Sequence, residues 1–97
     1  MTWQVQYSKR ALNDLETIYL YIKEELKAPN SASKITKKIM KQVSALNEMP
    51  LRFPLYKNNI RKLIVDNFIA YYLTNEETAK VTIIAILYSK RNINKLI

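Results

Sequence analysis

Residues 61–92, RKLIVDNFIAYYLTNEETAKVTIIAILYSKRN, contain the most β-prone runs of the chain. Three short runs rich in Ile, Val, Tyr and Leu are separated by turn-type residues, which predicts an antiparallel meander over residues 60–65, 68–74 and 79–88. Asp66-Asn67 forms the predicted two-residue hairpin turn, because asparagine is the best substitute for glycine where φ must be positive. We expect the rest of the chain to pack onto this sheet.

The residues before the meander predict one strand and two helices. Residues 3–7 alternate apolar and polar side chains, which is the period of a half-buried strand. Ser8 is a good N-cap for a first helix over residues 9–27, whose apolar side chains recur at helical spacing. Pro29 ends that helix, and Asn30 or Ser31 is expected to cap the next one.

The second helix ends at Met49-Pro50, and residues 50–59, with two prolines, predict an ordered loop at the edge of the core. The predicted order is therefore β-α-α-β-β-β. This order indicates an α+β fold in which a helical hairpin packs on one face of a small, largely antiparallel sheet.

Length and composition limit the class of protein. Ninety-seven residues with 48% hydrophobic content suit a single domain spanning residues 1–97. Sixteen Lys and Arg against eight Asp and Glu give a net charge of +8, which favours nucleic acid or an acidic protein as partner. The longest apolar run, residues 83–88, is far shorter than the roughly 20 residues of a membrane-spanning helix. We expect a soluble, cytoplasmic protein with no membrane partner.

The residue types that the chain lacks exclude several kinds of site. The chain has no cysteine, no histidine and no glycine. It therefore has no thiolate nucleophile, no Ser-His-Asp triad, no phosphate-binding P-loop and no dinucleotide fingerprint. We expect no metal site and no cofactor. The carboxylates of the first helix, including Asp14, look like ordinary surface charges.

One face of the second predicted helix carries four lysines. Lys34, Lys37, Lys38 and Lys41 recur at i, i+3, i+4 and i+7, and we call them the lysine ridge. A solvated helix face explains such a pattern, and so does a surface that contacts nucleic acid or an acidic target protein.

Several local patterns resemble the RelE/ParE superfamily of bacterial type II toxins, almost from end to end. They are Tyr7-Ser8-Lys9-Arg10-Ala11-Leu12-Asn13-Asp14-Leu15, Ile18, Tyr21-Ile22, Leu46, Pro50, Arg61-Lys62-Leu63, Asn67-Phe68, Tyr72, Ile86 and Arg91-Asn92. The resemblance implies a toxin that is neutralised by an antitoxin encoded beside it, whose acidic or amphipathic C-terminal segment wraps the toxin. It also allows a higher-order toxin-antitoxin oligomer.

The superfamily implies two different mechanisms. RelE-like members cleave mRNA in the ribosomal A site, whereas ParE-like members are not nucleases and poison DNA gyrase. Metal-free RNA cleavage needs a base, an acid and cations around one phosphate. The candidates here are Arg61, Lys62, Tyr88, Lys90 and Arg91, provided that the ends of their two strands meet.

One departure from the nucleases favours the ParE-like mechanism. RelE-like nucleases carry an arginine in an aromatic-Arg-Leu-x-Tyr pattern, and Ile69 stands at that place here. We therefore expect a gyrase inhibitor, with ribosome-dependent mRNA cleavage as the alternative. In the inhibitor, Arg91 and the lysine ridge are the expected target contacts. A non-toxic basic RNA-binding module is a more distant alternative, against which the lack of an RRM or KH motif counts.

The predicted strands also supply candidate antitoxin contacts. Tyr71 and Tyr72 point to opposite sides of one predicted strand, so we expect one in the core and the other in an antitoxin groove. Ile84 and Ile86 of the last strand are the other expected antitoxin contacts.

Overall fold

Five strands form one mixed sheet, and two helices cover one of its faces. The computed structural model describes residues 2–89. Its elements are β1 (Gln4–Tyr7), α1 (Lys9–Leu20), α2 (Pro29–Ser44), β2 (Leu55–Lys57), β3 (Ile60–Val65), β4 (Phe68–Asn75) and β5 (Lys80–Tyr88). The strands lie in the order β1-β5-β4-β3-β2. The predicted α+β fold with a helical hairpin on a largely antiparallel sheet is confirmed.

The structure adds detail to the predicted sheet at its two edges. β1 pairs in parallel with β5, while the other neighbours are antiparallel. The expected loop over residues 50–59 contains a 3₁₀ turn at Pro50–Arg52 and the short strand β2, which pairs with the start of β3. A three-residue strand is too short for a period-2 pattern to reveal it.

Three local features set the ends of the two helices in the hairpin: a side-chain N-cap, a π segment and a proline. The Ser8 hydroxyl accepts a hydrogen bond from the Ala11 N–H at 3.0 Å, as its N-cap position predicts. α1 ends earlier than expected, and the chain continues as a π-helical turn over Tyr21–Glu25. α2 begins directly with Pro29, so the expectation that Asn30 or Ser31 caps it is wrong. Proline suits this first position because its missing N–H would have no helical partner there.

The meander has the predicted two-residue turn and one irregularity. Val65 pairs with Phe68 across the turn, but the positive φ of 54° falls on Asp66. On β5, the residues that pair with Tyr71 and Tyr72 are separated by Ile84, which forms a β-bulge.

The main core lies between the helices and the sheet. Because the bulge adds one residue, β5 directs Val81 and Ile83 before it and Ile86 after it into the same core. The buried residues of this core are Ala11, Ile39, Val43, Leu46, Leu63, Val65, Ala70, Tyr72, Val81, Ile83 and Ile86.

A second buried cluster forms on the sheet face turned away from the helices. It consists of Ile69, Tyr71, Ala85 and Leu87. Tyr56, Ile60 and Ile84 pack against it.

Five residues other than glycine adopt left-handed backbone conformations. They are Lys27, Met49, Asn58, Asp66 and Ala79, with φ between 50° and 54°. A Cβ makes this conformation unfavourable by about 1 kcal/mol. Each of these residues lies in a connection between elements, so the rest of the fold imposes the conformation on it.

Two further predictions concern membrane-spanning helices and the residues after β5. No helix within residues 2–89 is long and apolar enough to cross a bilayer. Lys90 and Arg91, which we expected near a phosphate or a target, lie outside the described residues.

Candidate functional site

A groove of about 740 Å³ opens between the helical hairpin and the last residues of β5. Its walls come from α1, the π segment, the start of α2, Asn67 with the start of β4, and the end of β5. Most of the lining is apolar, and it includes Ile18, Tyr21, Leu26, Ile35, Phe68 and Tyr88.

The edge of β5 forms one side of this groove. β1 accompanies β5 only as far as Ile83, so the last five residues of β5 have no strand on their outer edge within residues 2–89. Two side chains, one from the N-cap of α1 and one from α1 itself, bind the backbone there instead. The Ser8 hydroxyl donates to the Ile84 carbonyl at 3.3 Å, and the Asp14 carboxylate accepts from the Ile86 N–H at 3.0 Å.

Asp14 is therefore more than a surface charge. Its side chain is only 20% exposed, and the Arg10 guanidinium lies 3.6 Å from the carboxylate oxygen that accepts the Ile86 N–H. The sequence does not reveal this role, because the α1 residue and the strand residue lie 72 positions apart.

The π segment and its C-cap residue each display a large apolar side chain at the groove. Tyr21 is 54% exposed and Leu26 is 57% exposed, and both line the groove. The Leu26 N–H bonds to the Tyr21 carbonyl, and the Ala28 N–H to the Ile22 carbonyl. The helical conformation ends at Glu25, and φ becomes positive at Lys27. π turns of this kind occur often at functional sites.

The structure does not bring the predicted nucleolytic residues together. Arg61 lies in a cross-strand row with Tyr72 and Ile83, whereas Tyr88 lies in the row of Phe68 and Val65. Four residues and two strands separate these positions, a distance of roughly 16 Å between Cα atoms. β4 stands between the two strands that we expected to meet, so Arg61 and Lys62 do not share a site with Tyr88.

Arg61 instead holds the loop before β2. Its Nη1 donates to the Leu51 carbonyl at 3.0 Å and to the Phe53 carbonyl at 2.6 Å. The buried Tyr72 hydroxyl donates to the neighbouring Pro50 carbonyl at 2.6 Å. Burial raises the pKa of Tyr72 to about 12, although the charges of Arg61 and Arg52 act in the opposite direction. The Tyr72 hydroxyl therefore stays a proton donor at neutral pH.

Lys62 and Tyr88 each contact an aromatic ring. The Lys62 ammonium lies 5.7 Å from the centre of the Tyr56 ring, which meets Tyr71 edge to face at 5.2 Å. The ring of Tyr88 lies 5.6 Å from that of Phe68. Ile69, at the place of the nucleases' arginine, belongs to the second buried cluster and is 8% exposed.

The expected antitoxin contacts are mostly buried. Tyr71 and Tyr72 are both 0% exposed, because each faces one of the two buried clusters. Ile86 is 1% exposed, and only Ile84 is partly accessible. The structure thus contradicts the expectation that one of the two tyrosine side chains offers a surface to a partner.

The lysine ridge lies on the side of α2 opposite to its buried residues. All four lysines are exposed. The Lys38 ammonium pairs with the Asp66 carboxylate at 2.9 Å and ties α2 to the turn between β3 and β4. Lys34, Lys37 and Lys41 form no ion pair within residues 2–89, so their charge faces the solvent.

Solved toxin structures share this fold. The chromosomal ParDE system of Pseudomonas aeruginosa has a chain with a TM-score of 0.80 at 21% identity, covering 92% of this chain and 98% of that one. A free Escherichia coli RelE mutant gives a TM-score of 0.70 at 13% identity, with 99% and 93% covered. The RelBE2 toxin-antitoxin complex of Mycobacterium tuberculosis gives a TM-score of 0.64 at 16% identity, with 91% and 92% covered.

The sequence comparisons assign the family. No curated protein matches the chain in sequence. The family model that describes the ParE toxin of the type II toxin-antitoxin system parDE matches residues 5–93, which is nearly the whole chain. With the fold described above, this match shows that the chain belongs to the ParE toxin family of type II toxin-antitoxin systems.

Proposed function

We propose that this toxin acts in the cytoplasm by inhibiting DNA gyrase, and that it does not cleave RNA. The observation that carries the proposal is the use of Arg61. Its guanidinium is bound to the Leu51 and Phe53 carbonyls and lies two strands away from Tyr88. A cation that holds two backbone carbonyls is not available to stabilise the charge that develops on a phosphate.

Ile69 supports the same proposal. It occupies the place of the nucleases' arginine, and its side chain is packed in the second buried cluster. An arginine there would have to reach out of an apolar environment, where an unpaired charge is strongly unfavourable. This position of β4 thus serves packing rather than phosphate binding.

Two assays on the same protein test the mechanism. Purified toxin is incubated with DNA gyrase and supercoiled plasmid, and trapped DNA cleavage complexes are measured on gels. In parallel, mRNA 5′ ends are mapped after induction in cells. We expect gyrase-dependent DNA cleavage and intact messages. New 5′ ends inside translated codons, without trapped gyrase complexes, would reject the proposal in favour of ribosome-dependent cleavage.

We also propose that the groove between the helical hairpin and β5 receives the cognate antitoxin. Solved relatives with this fold include a toxin-antitoxin complex. The groove offers what an extended or helical segment needs, namely exposed apolar side chains at Tyr21 and Leu26 beside the end of β5, which no other strand covers after Ile83 within residues 2–89. The net charge of +8 favours a segment that is acidic as well as apolar.

Single substitutions test the groove. Tyr21→Asp and Leu26→Asp place a charge on its apolar wall, and we expect each to weaken binding of the adjacent gene's product about tenfold or more. Leu12→Asp is the matched control, because Leu12 is similarly exposed, at 52%, but does not line the groove. Affinity is measured by titration calorimetry. Equal losses in all three variants would show that the groove is not the antitoxin site.

A further inference from the structure

The connection between α2 and β2, together with the first residue of β2, displays three apolar side chains to solvent. Met49 is 68% exposed, Leu55 is 56% exposed and Leu51 is 37% exposed. We call residues 49–55 the Met49 loop. Its exposed side chains are not part of the groove, whose lining comes from other elements.

The backbone of the Met49 loop is held in one conformation by the sheet. Tyr72 and Arg61 bind three of its carbonyls, those of Pro50, Leu51 and Phe53. The Lys62 N–H donates to a fourth carbonyl, that of Pro54, at 3.3 Å. A loop fixed in this way loses little conformational entropy when a partner binds to it.

Met49 itself has an unfavourable backbone conformation. Its φ and ψ are both 50°, in the left-handed region. Its side chain is exposed to solvent, so no burial of this side chain offsets the unfavourable backbone conformation. Left-handed residues other than glycine persist only where the surrounding structure imposes them, and they concentrate at functional sites. Methionine is also common at protein-binding surfaces, because its flexible thioether adapts to different partners.

The charge around the loop defines the chemistry of a partner. Besides the bound Arg61, three cations lie on the loop or on the adjacent β2–β3 hairpin, and residues 49–65 contain no acidic residue; the three cations are Arg52, Lys57 and Lys62. Single-stranded nucleic acid gains much of its affinity by stacking bases on open aromatic faces. Phe53 is half-buried, and the Arg52 guanidinium lies over its ring at 4.9 Å. Exposed aliphatic side chains among cations suit an acidic protein surface better.

The loop and the groove lie at opposite ends of α2. Ser31, near the start of this helix, lines the groove, and the helix runs to Ser44 before the chain reaches Met49. Thirteen residues of α-helix span about 20 Å. An antitoxin segment seated in the groove therefore leaves the loop accessible.

We propose that the Met49 loop is the surface through which the toxin docks on its target protein, an acidic surface that accepts an apolar side chain, while the groove is reserved for the antitoxin. The proposal rests on the proposed function in one respect, since it requires that the target is a protein such as gyrase. It adds the part of the toxin that recognises the target.

Two substitutions in the loop test the proposal. Met49→Asp introduces a negative charge at a position whose backbone conformation aspartate tolerates, and Leu55→Asp does so on β2. Met49→Asn is the uncharged partner of the first variant. Leu12→Asp is the control for an exposed leucine elsewhere, on α1. The measurements are affinity for purified gyrase, affinity for the antitoxin, growth arrest on induction, and the melting temperature.

We expect Met49→Asp and Leu55→Asp to lower gyrase affinity about tenfold or more and to relieve growth arrest, with antitoxin affinity unchanged. Met49→Asn should fall between them and wild type, and Leu12→Asp should match wild type. Loop variants that bind gyrase and arrest growth like wild type would overturn the proposal.

Failure of the proposed function has a different signature. If wild-type toxin does not bind gyrase, the gyrase assignment fails, and growth arrest then decides the role of the loop. Relief of arrest by both loop variants, at unchanged antitoxin affinity and melting temperature, supports docking on another acidic protein. Undiminished arrest overturns the docking surface.

Discussion

Tyr72 joins the main core to the Met49 loop through one hydroxyl group. Its ring is fully buried, and its hydroxyl donates to the Pro50 carbonyl at 2.6 Å. We expect Tyr72→Phe to lower the free energy of unfolding by about 1 to 3 kcal/mol, because the buried carbonyl loses its partner. Urea unfolding measures this change. The control Tyr88→Phe, at a half-exposed position, should stay within about 0.5 kcal/mol of wild type, and equal effects of both variants would contradict the prediction.

The same hydroxyl predicts a loss of stability at high pH. Burial raises the pKa of Tyr72 from 10.0 to about 12, so the folded state favours the neutral phenol. The resulting stabilisation is complete below pH 10.0 and is lost as the pH rises towards 12. Burial also raises the pKa values of Tyr7 and Tyr71, which act in the same direction.

A comparison with Tyr72→Phe isolates this contribution, since the variant keeps the other two tyrosines. Between about pH 9 and about pH 11, the wild type should lose about 1 kcal/mol more unfolding free energy than the variant. Urea unfolding at both pH values measures the difference. Parallel pH dependences of the two proteins would show that the phenol of Tyr72 titrates normally.

Because the chain contains no glycine, an alanine, Ala79, adopts the left-handed conformation that the turn before β5 requires. Its φ of 52° places it in the left-handed region, just before β5. We expect Ala79→Gly to stabilise the fold by about 0.5 to 1 kcal/mol, because relief of the backbone strain outweighs the added freedom of the unfolded chain. A rise in melting temperature measures it. Glycine at Ala45, which ends α2 with helical φ and ψ, is the control and should destabilise.

At the scale of elements, the contact of α1 with the edge of β5 depends on Asp14. Asp14→Ala removes the acceptor for the Ile86 N–H, and we expect a loss of about 1 to 2 kcal/mol in the free energy of unfolding. It also exposes a strand edge, which favours self-association. Urea unfolding and light scattering measure the two effects. Asp14→Asn retains an acceptor and should be milder, while Glu16→Ala, on the exposed face, should change neither quantity.

The lysine ridge is the target contact that we propose on α2, since it leads along the helix towards the Met49 loop. The triple variant Lys34→Glu, Lys37→Glu, Lys41→Glu keeps the Lys38–Asp66 ion pair and should fold normally. We expect it to weaken gyrase binding about tenfold or more in an equilibrium binding assay. The control makes the same change in charge elsewhere, at Lys9, Lys23 and Lys80. Equal losses in both triple variants would show that net charge, not the ridge, is responsible.

Most of the elements follow from local patterns, and their boundaries do not. The alternation of residues 3–7, the apolar spacing of α1 and the β-prone runs of the meander all predict elements that the structure contains. The bulge at Ile84 and the strand β2 escape prediction, because both arise from pairing with another strand. The π segment likewise escapes prediction, because its side chains follow the same apolar spacing as an α-helix.

The site is less predictable than the fold, for a related reason. Arg61 and Tyr88 were both candidates for one nucleolytic site, because their side chains suit the same reaction. They lie in different cross-strand rows of a sheet whose strand order the sequence does not specify. Tyr71 and Tyr72 were expected on opposite faces, and they are, but each face carries a buried cluster. The groove is lined by side chains from both helices and from two strands, so no pattern within a single segment predicts it.

For the whole molecule, the net charge of +8 predicts how fast the antitoxin binds. Long-range attraction speeds association with an acidic partner and is screened by salt. We expect the association rate constant to fall about tenfold between about 50 and about 500 mM NaCl, with a smaller change in the dissociation rate. Stopped-flow measurements test this. The triple glutamate variant of the lysine ridge should show a weaker salt dependence, and a rate that ignores salt would contradict the prediction.

The left-handed turn at Ala79 also bears on the order in which the chain folds. A turn that closes a strand pair early must be favourable by itself, and a left-handed alanine is not. The hairpin of β4 and β5 should therefore close only after the helical hairpin and its apolar partners have collapsed. Ala79→Gly should accordingly slow unfolding and leave the folding rate almost unchanged, so the largest strand pair of this toxin forms last.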